Sequence, residues 1–190
     1  MSPIDDAASL GVSPLVPLRT PLRLGPMPTR RAMRTLDEGL CRTDVATIFR
    51  LVADVEEWPR HLAHYRWVTM RDRTTDGGGV VEMSACRPFG PLNWPTWWLS
   101  HMSVDRDAPA VRFRHIGGIT TGMDVEWAFT AVSGGTRVTL LHLWDGPPWP
   151  VIRTVAAVGV IGPVFIHGIA SRTMAGLIRA AEGGASPELD

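Results

Sequence analysis

The sequence predicts an α+β fold: a curved, antiparallel, seven-stranded sheet around a long C-terminal helix, with an internal cavity between them. Three observations predict it. Seven strand-like segments run along the chain, and the last six follow in series through short turns, which makes consecutive strands antiparallel neighbours. A long apolar helical stretch, about residues 152–181, closes the chain. Several inward strand positions carry tryptophan or histidine where a solid core would favour leucine and isoleucine, a composition that suits a lined pocket. An ordinary packed core with satisfied histidines is the competing reading of that pattern.

The elements follow in order. Met33 to Leu40 reads as the first strand. Thr43 or Asp44 can cap a helix whose apolar positions are Val45, Ile48, Phe49 and Val52, the spacing of one helical face. Glu56-Glu57-Trp58-Pro59 starts a second, short helix, with acids in its first turn and proline near its N-terminus. Tyr65 to Arg71 is the second strand. The glycines at 77, 78 and 79 form a turn, and Val80 to Arg87 is the third strand. Pro88 to Pro95 reads as a loop. Strands then span Thr96 to Val104, Val111 to Ile116, Met123 to Val132 and, after the Gly134-Gly135 turn, Thr136 to Trp144. The last helix carries Gly159, Gly162, Gly168 and Pro163, and Pro163 is expected to kink it.

Strand phase assigns the faces, because side chains alternate sides along a strand. Val125, Trp127 and Phe129 share one face, opposite Asp124 and Glu126. Val138, Leu140, His142 and Trp144 share another, as do Val111, Phe113 and His115 opposite Arg112 and Arg114. In the third strand Val81, Met83, Ala85 and Arg87 fall together. That phase puts a guanidinium on an otherwise apolar face, where it needs a partner or a polar ligand. The competing reading is that the strand twists or ends at Arg87, since Pro88 follows, and the arginine reaches water.

Bulk composition narrows the function. The 190 residues suit one domain: 32–182 as the folded unit, 1–31 as a flexible leader with six prolines, and 183–190 as a disordered tail. Formal charge is zero, so nothing draws the chain toward nucleic acid. Lysine is absent, which excludes Schiff-base chemistry and the P-loop lysine. Two cysteines, Cys41 and Cys86, match neither a disulfide scaffold nor a zinc spacing, so a reducing cytoplasm is the default location. His61 and His64, three apart, lack a third ligand and read as a solvated helix end. Eight tryptophans stand against the single tyrosine Tyr65, which suits bulky apolar walls.

The segments around Trp98 to His101, Val111 to His115 and Gly122 to Thr136 resemble the START-like polyketide cyclase/aromatase family. Ile48 to Val52, followed by Val55 to Pro59, is similar to that family's first-helix signature. The resemblance runs from about Arg34 to Glu182 and implies the helix-grip fold. Within the family, the tetracenomycin-type aromatase/cyclases are similar at several points. Arg87-Pro88 matches their cavity arginine pair, Tyr65 a cavity tyrosine, and Trp58-Pro59 a tryptophan at the cavity mouth. Their helix asparagine is replaced by His167, which leaves ring-closing regiochemistry open.

The resemblance implies a polyketide aromatase/cyclase that folds a carrier-bound poly-β-ketone and promotes aldol cyclisation and dehydration. Arg87, Tyr65 and His167 are the expected catalytic residues. Trp58, Trp98, Phe113, His115, Trp127, Phe129 and His142 are the expected substrate-binding wall. This chemistry requires no metal or organic cofactor. Expected partners are the polyketide or another hydrophobic small molecule, an acyl carrier protein and a second copy of the chain. The alternative is a non-catalytic carrier of a quinone, lipid or polyketide. Membrane contact through the unusually apolar last helix, where residues 154–171 hold no charged side chain besides His167, is a lesser alternative.

Overall fold

The computed structural model describes residues 20–89, 92–146 and 167–183; the side chains of residues 87–89, 92–94 and 167 lie outside that description. The strands are β1 (Met33–Cys41), β2 (Tyr65–Arg73), β3 (Gly79–Phe89), β4 (Leu92–Asp105), β5 (Ala110–Gly118), β6 (Asp124–Val132) and β7 (Gly135–Trp144). Helix α1 (Val45–Ala53), a 3₁₀ turn (Val55–Glu57) and α2 (Trp58–His61) lie between β1 and β2, and α3 (His167–Ala181) closes the described chain.

All seven strands form one antiparallel sheet in the order β1-β7-β6-β5-β4-β3-β2. Consecutive strands β1 and β2 thus stand at opposite edges, and α1 and α2 span the distance between them. Register shifts in β2 and between Leu99 and Ser100 in β4 mark bulges, which bend a strand and increase its twist.

Local chemistry explains α1. Asp44 caps it by accepting from the Thr47 N–H at 2.8 Å, an interaction that contributes about 1 kcal/mol. Ile48, Phe49 and Val52 are buried on its inner face. Burying such side chains contributes about 2 kcal/mol each. Helix α3 lies against β1, α1 and α2. Its buried positions Ala170, Thr173, Met174 and Leu177 repeat at helical spacing.

The phases hold. Val81, Met83 and Ala85 are buried, as are Val125, Trp127 and Phe129, and Val138, Leu140, His142 and Trp144. Arg112 bonds Glu126 at 2.6 Å on the outer face. Asp124 also lies on that face, yet its side chain is only 3 % exposed, because Arg114 at 2.7 Å and Arg31 at 3.2 Å cover it. Arg31, assigned to the leader from composition, is therefore tied to the sheet by Asp124 and Asp145.

Most of one expected loop is strand. The described residues between Pro88 and Pro95 continue the ladder, with Arg87 opposite Trp94, Pro88 opposite Asn93 and Phe89 opposite Leu92. Each proline removes only the one bond that its missing N–H would have made. Of the expected long helix, residues 152–166, including Pro163, lie outside the described residues, as do residues 1–19 of the leader and 184–190 of the tail.

Candidate ligand cavity

The concave face of the sheet and α3 line a cavity of about 110 Å³. Four elements bring its aromatic wall together. Trp58 comes from α2, Tyr65 from β2, Phe113 from β5 and Trp127 from β6, and Trp58 meets the other three edge-on at 5.4, 6.4 and 6.0 Å. Aromatic rings prefer such edge-to-face contacts, which contribute about 1 kcal/mol each beyond burial. The Trp58 indole N–H is satisfied by the Leu51 carbonyl at 3.3 Å, so its ring is fixed from outside the cavity. Met83, Val125, Leu140, Ile169 and Ala170 complete the apolar lining. Trp97 and Ile119, both about half exposed, stand at the rim.

Polar groups are few and placed. His115 and His142 line the cavity from β5 and β7. The Nδ1 of His115 lies 2.6 Å from the Thr120 hydroxyl, and that of His142 lies 3.4 Å from the Thr35 hydroxyl on neighbouring β1. Thr120 is delivered by a tight turn after β5. Gly118 there has φ +89°, and a Cβ on it would lie 2.5 Å from the Trp97 carbonyl oxygen, so only glycine fits. Burial lowers both histidines to about pKa 3, and the proximity of His142 adds to the effect on His115. Both rings are therefore neutral at pH 7.

Tyr65 is buried, and desolvation pushes its phenol well above the ordinary value. The Thr173 hydroxyl on α3 lies 3.0 Å from His64 Nε2. His64, read from sequence as part of a solvated helix end, is instead half-buried against Tyr65, with ring centroids 5.0 Å apart, and is lowered to about pKa 4 by burial and by Arg172. The i, i+3 histidine spacing misled because His64 lies past the end of α2, where the chain turns inward to start β2. Among the described residues no cluster of three metal-ligating side chains occurs.

Of the expected wall, Trp58, Trp98, Phe113, His115, Trp127 and His142 line the cavity together with Tyr65. Phe129 does not. It is buried at the other end of β6, edge-on to Phe49 at 5.7 Å, because two further residues along a strand carry a side chain about 7 Å from Trp127. Arg87 and His167 have their main chains in β3 and α3, and their side chains lie outside the described residues. Sequence reasoning missed Thr120, Met123 and Thr173. Thr173 was recoverable, since it shares the helical face of Ala170 and Leu177. Thr120 carries no periodic signal, because it sits in a turn.

A curved antiparallel sheet gripping a C-terminal helix over an apolar cavity defines the helix-grip class of ligand-binding proteins. Within that class, the chain belongs to the family described as polyketide cyclase / dehydrase and lipid transport, whose family model matches residues 42–160. Solved structures share the fold. The Zhui aromatase/cyclase from Streptomyces sp. R1128 superposes with a TM-score of 0.67 at 13 % identity, over 79 % of this chain and 93 % of that one. The di-domain ARO/CYC BexL gives 0.62 at 22 % identity, over 79 % of this chain and 46 % of BexL. A START superfamily protein from Mycobacterium smegmatis gives 0.57 at 11 % identity, over 79 % and 97 %. At such identities the likeness is one of fold. No helix among the described residues is long and apolar enough to cross a membrane.

Proposed function

We propose that the protein is a polyketide aromatase/cyclase, which bends a poly-β-ketone inside the cavity and promotes aldol ring closure and loss of water. The observation that supports this most is the cavity's composition. An aromatic, largely apolar wall is interrupted by a small set of oxygen- and nitrogen-bearing side chains: Tyr65, Thr96, His115, Thr120, His142 and Thr173. Such a wall can hold an oxygenated chain in one bend, and bringing a methylene against a carbonyl is itself worth several kcal/mol of barrier.

In the reaction, the methylene gives up a proton, the carbon–carbon bond forms, and the former carbonyl oxygen takes a proton to become a hydroxyl. Loss of that hydroxyl with a neighbouring proton, as water, followed by enolisation of the remaining ring ketones, yields the aromatic ring. Arg87 is assigned to the developing oxyanion, for which its fork of donors is suited. Ala85 pairs with Tyr65 on one side and Thr96 on the other, and Arg87 follows two residues later in β3. Tyr65 and His167 are assigned to proton movement. His115 and His142, neutral and weakly basic, are assigned to holding substrate oxygens. An acyl carrier protein is the proposed donor of the chain.

Carriage of a hydrophobic ligand without chemistry is the second reading. It is favoured by one observation: Tyr65, His115 and His142 are all moved away from neutrality, whereas an efficient acid or base has a pKa near the working pH.

The test is reconstitution with a polyketide synthase and its carrier protein, comparing wild type with Arg87→Ala. The expected result is a loss of cyclised product of about a hundredfold or more, with an unchanged circular dichroism spectrum. Full activity in a folded Arg87→Ala protein would sink the assignment. Native mass spectrometry of the purified protein separates the two readings, because a co-purifying quinone or phospholipid favours carriage.

A further inference from the structure

A sheet that does not close has two edges, and each presents backbone N–H and C=O groups that can pair with another strand. The two edges of this sheet are built differently. Strand β2 is broken by register shifts between Tyr65 and Trp67 and between Met70 and Asp72. Glu56 covers it further, accepting from the Met70 N–H at 2.9 Å and pairing with Arg73. Strand β1 keeps one register with β7 along its whole length. Its outward side chains Arg34, Leu36, Glu38 and Leu40 are all exposed, Leu36 by 43 % and Leu40 by 56 %. Among the described residues neither Arg34 nor Glu38 has an ion-pair partner, and no main-chain hydrogen bond joins β1 to any strand but β7. Helix α3 meets β1 toward its C-terminal end. A Cβ on Gly39 would lie 2.6 Å from Ile178 Cδ1, and Glu182 accepts from the Arg42 N–H at 2.7 Å.

We propose that β1 is the docking edge for a second copy of this chain, which adds its own β1 antiparallel about a two-fold axis at Leu36, so that the two sheets run on as one. Charge complementarity selects both the occupant and the register. A two-fold axis normal to the sheet sets each residue opposite the one equally far beyond the axis, and on the same face. Centred on Leu36, Arg34 faces Glu38 of the partner subunit, Glu38 faces the partner's Arg34, and the two Leu36 side chains meet. Opposite charges and apolar pairs directly across a ladder stabilise it, and like charges destabilise it. The other centres are worse on that rule. An axis at Arg34, Asp37 or Glu38 sets that charge against its own copy, and one at Thr35 brings no opposite charges together. The chosen register pairs Met33 to Gly39 of each strand. It sets Gly39 against Met33 of the partner subunit, so the two α3 helices meet the joined strands at opposite ends. The symmetry also explains why the occupant is a second copy: arginine, leucine and glutamate at alternate positions are matched by the same three read backwards. The pairing does not depend on whether the cavity serves a cyclase or a carrier.

The test is sedimentation velocity on the full chain over a concentration series. Wild type is expected to associate reversibly to a dimer. Arg34→Glu and Glu38→Arg each set like charges face to face at two points, and each should weaken dimerisation by about tenfold or more. Both side chains are exposed, so circular dichroism should not change. Combined in one chain, the two substitutions restore both pairs and should return the dissociation constant to near the wild-type value. Mixed as separate proteins, the two single variants should associate with each other more tightly than either does with itself, because one β1 then carries acids at both positions and the other carries arginines. A wild type that stays monomeric overturns the proposal. Single variants that dimerise undiminished, or a mixture that does not associate, overturn it equally. Amide hydrogen exchange tests it without any variant. The β1 amides turned away from β7 should exchange more slowly as the wild-type concentration rises, and rates independent of concentration would refute pairing through β1.

Discussion

Trp98 and His115 lie face to face across neighbouring strands, with ring centroids 6.0 Å apart and planes 14° from parallel. The extra residue that β5 carries here, Ile116, sets Trp98 opposite Gly118, which has no side chain to compete with the indole. The stack fixes one side of His115 while Thr120 fixes its Nδ1. Among the described residues Nε2 has no protein hydrogen-bond partner, and it is the nitrogen left for a ligand. Replacing the partly buried Trp98 with alanine should destabilise the protein by about 2 kcal/mol, less than the usual cost of removing a fully buried aromatic. His115→Phe keeps the stack and should cost less than half as much. Urea denaturation midpoints decide it, and equal losses in the two variants would show that the stack is not what holds the pair.

Stability should fall on acidification in a window set by the buried histidines. His115 and His142 have folded values of about 3, below the ordinary 6.5 of the unfolded chain. Between those values the unfolded state binds more protons, so stability rises with pH and is lost as pH falls from about 6.5 toward 3. Each histidine contributes a slope of at most about 1.4 kcal/mol per pH unit. His142→Phe should flatten the curve. Thermal melts at half-unit steps of pH measure it; a flat profile across the window in wild type would mean that the histidines are hydrated or charged in the fold.

Asp124 should be worth more than either arginine that covers it. Its carboxylate is nearly inaccessible and accepts from Arg114 and Arg31, whereas both guanidiniums retain access to water. Asp124→Asn should destabilise by about 2 kcal/mol, since hydrogen bonds to charged groups weaken, Arg114 loses its carboxylate and Arg31 keeps only Asp145. Arg114→Ala should cost under 1 kcal/mol because Arg31 remains. The order of the two denaturation midpoints is the measurement, and a reversed order would refute the ranking.

Gly118→Ala should disturb the cavity without touching its lining. The positive φ and the close Trp97 carbonyl make a side chain there cost about 2 kcal/mol. Relief of that strain moves the turn that carries Thr120, so His115 loses its Nδ1 partner. Histidine NMR should report a changed tautomer balance for His115 alone, with His142 unmoved. Unchanged resonances in a destabilised variant would separate the turn from the site.

The architecture was legible in the sequence because each layer is written locally. Alternation in β5, β6 and β7, the Asp44 cap with Ile48, Phe49 and Val52 behind it, and the glycine turns depend on residues close together in the chain. Most of the cavity wall followed from the same alternation, since an inward phase on a curved sheet is a cavity or core position wherever it falls.

Phase says which face a residue joins and not where along the sheet it lies. That is why Phe129 packs on Phe49 while Trp127, two residues earlier, meets the cavity. Contacts that join separate elements were decided only by the fold: Thr173 against His64, Thr120 against His115, Arg31 on Asp124. None of these pairs shares an element, and a hydrogen bond of about 3 Å depends on how elements dock rather than on any periodicity. The chain alone determined a sheet, a gripping helix and an aromatic cavity between them. Only tertiary packing, by bringing single donors to single acceptors, decided which polar atoms inside that cavity are already committed and which are left for a ligand.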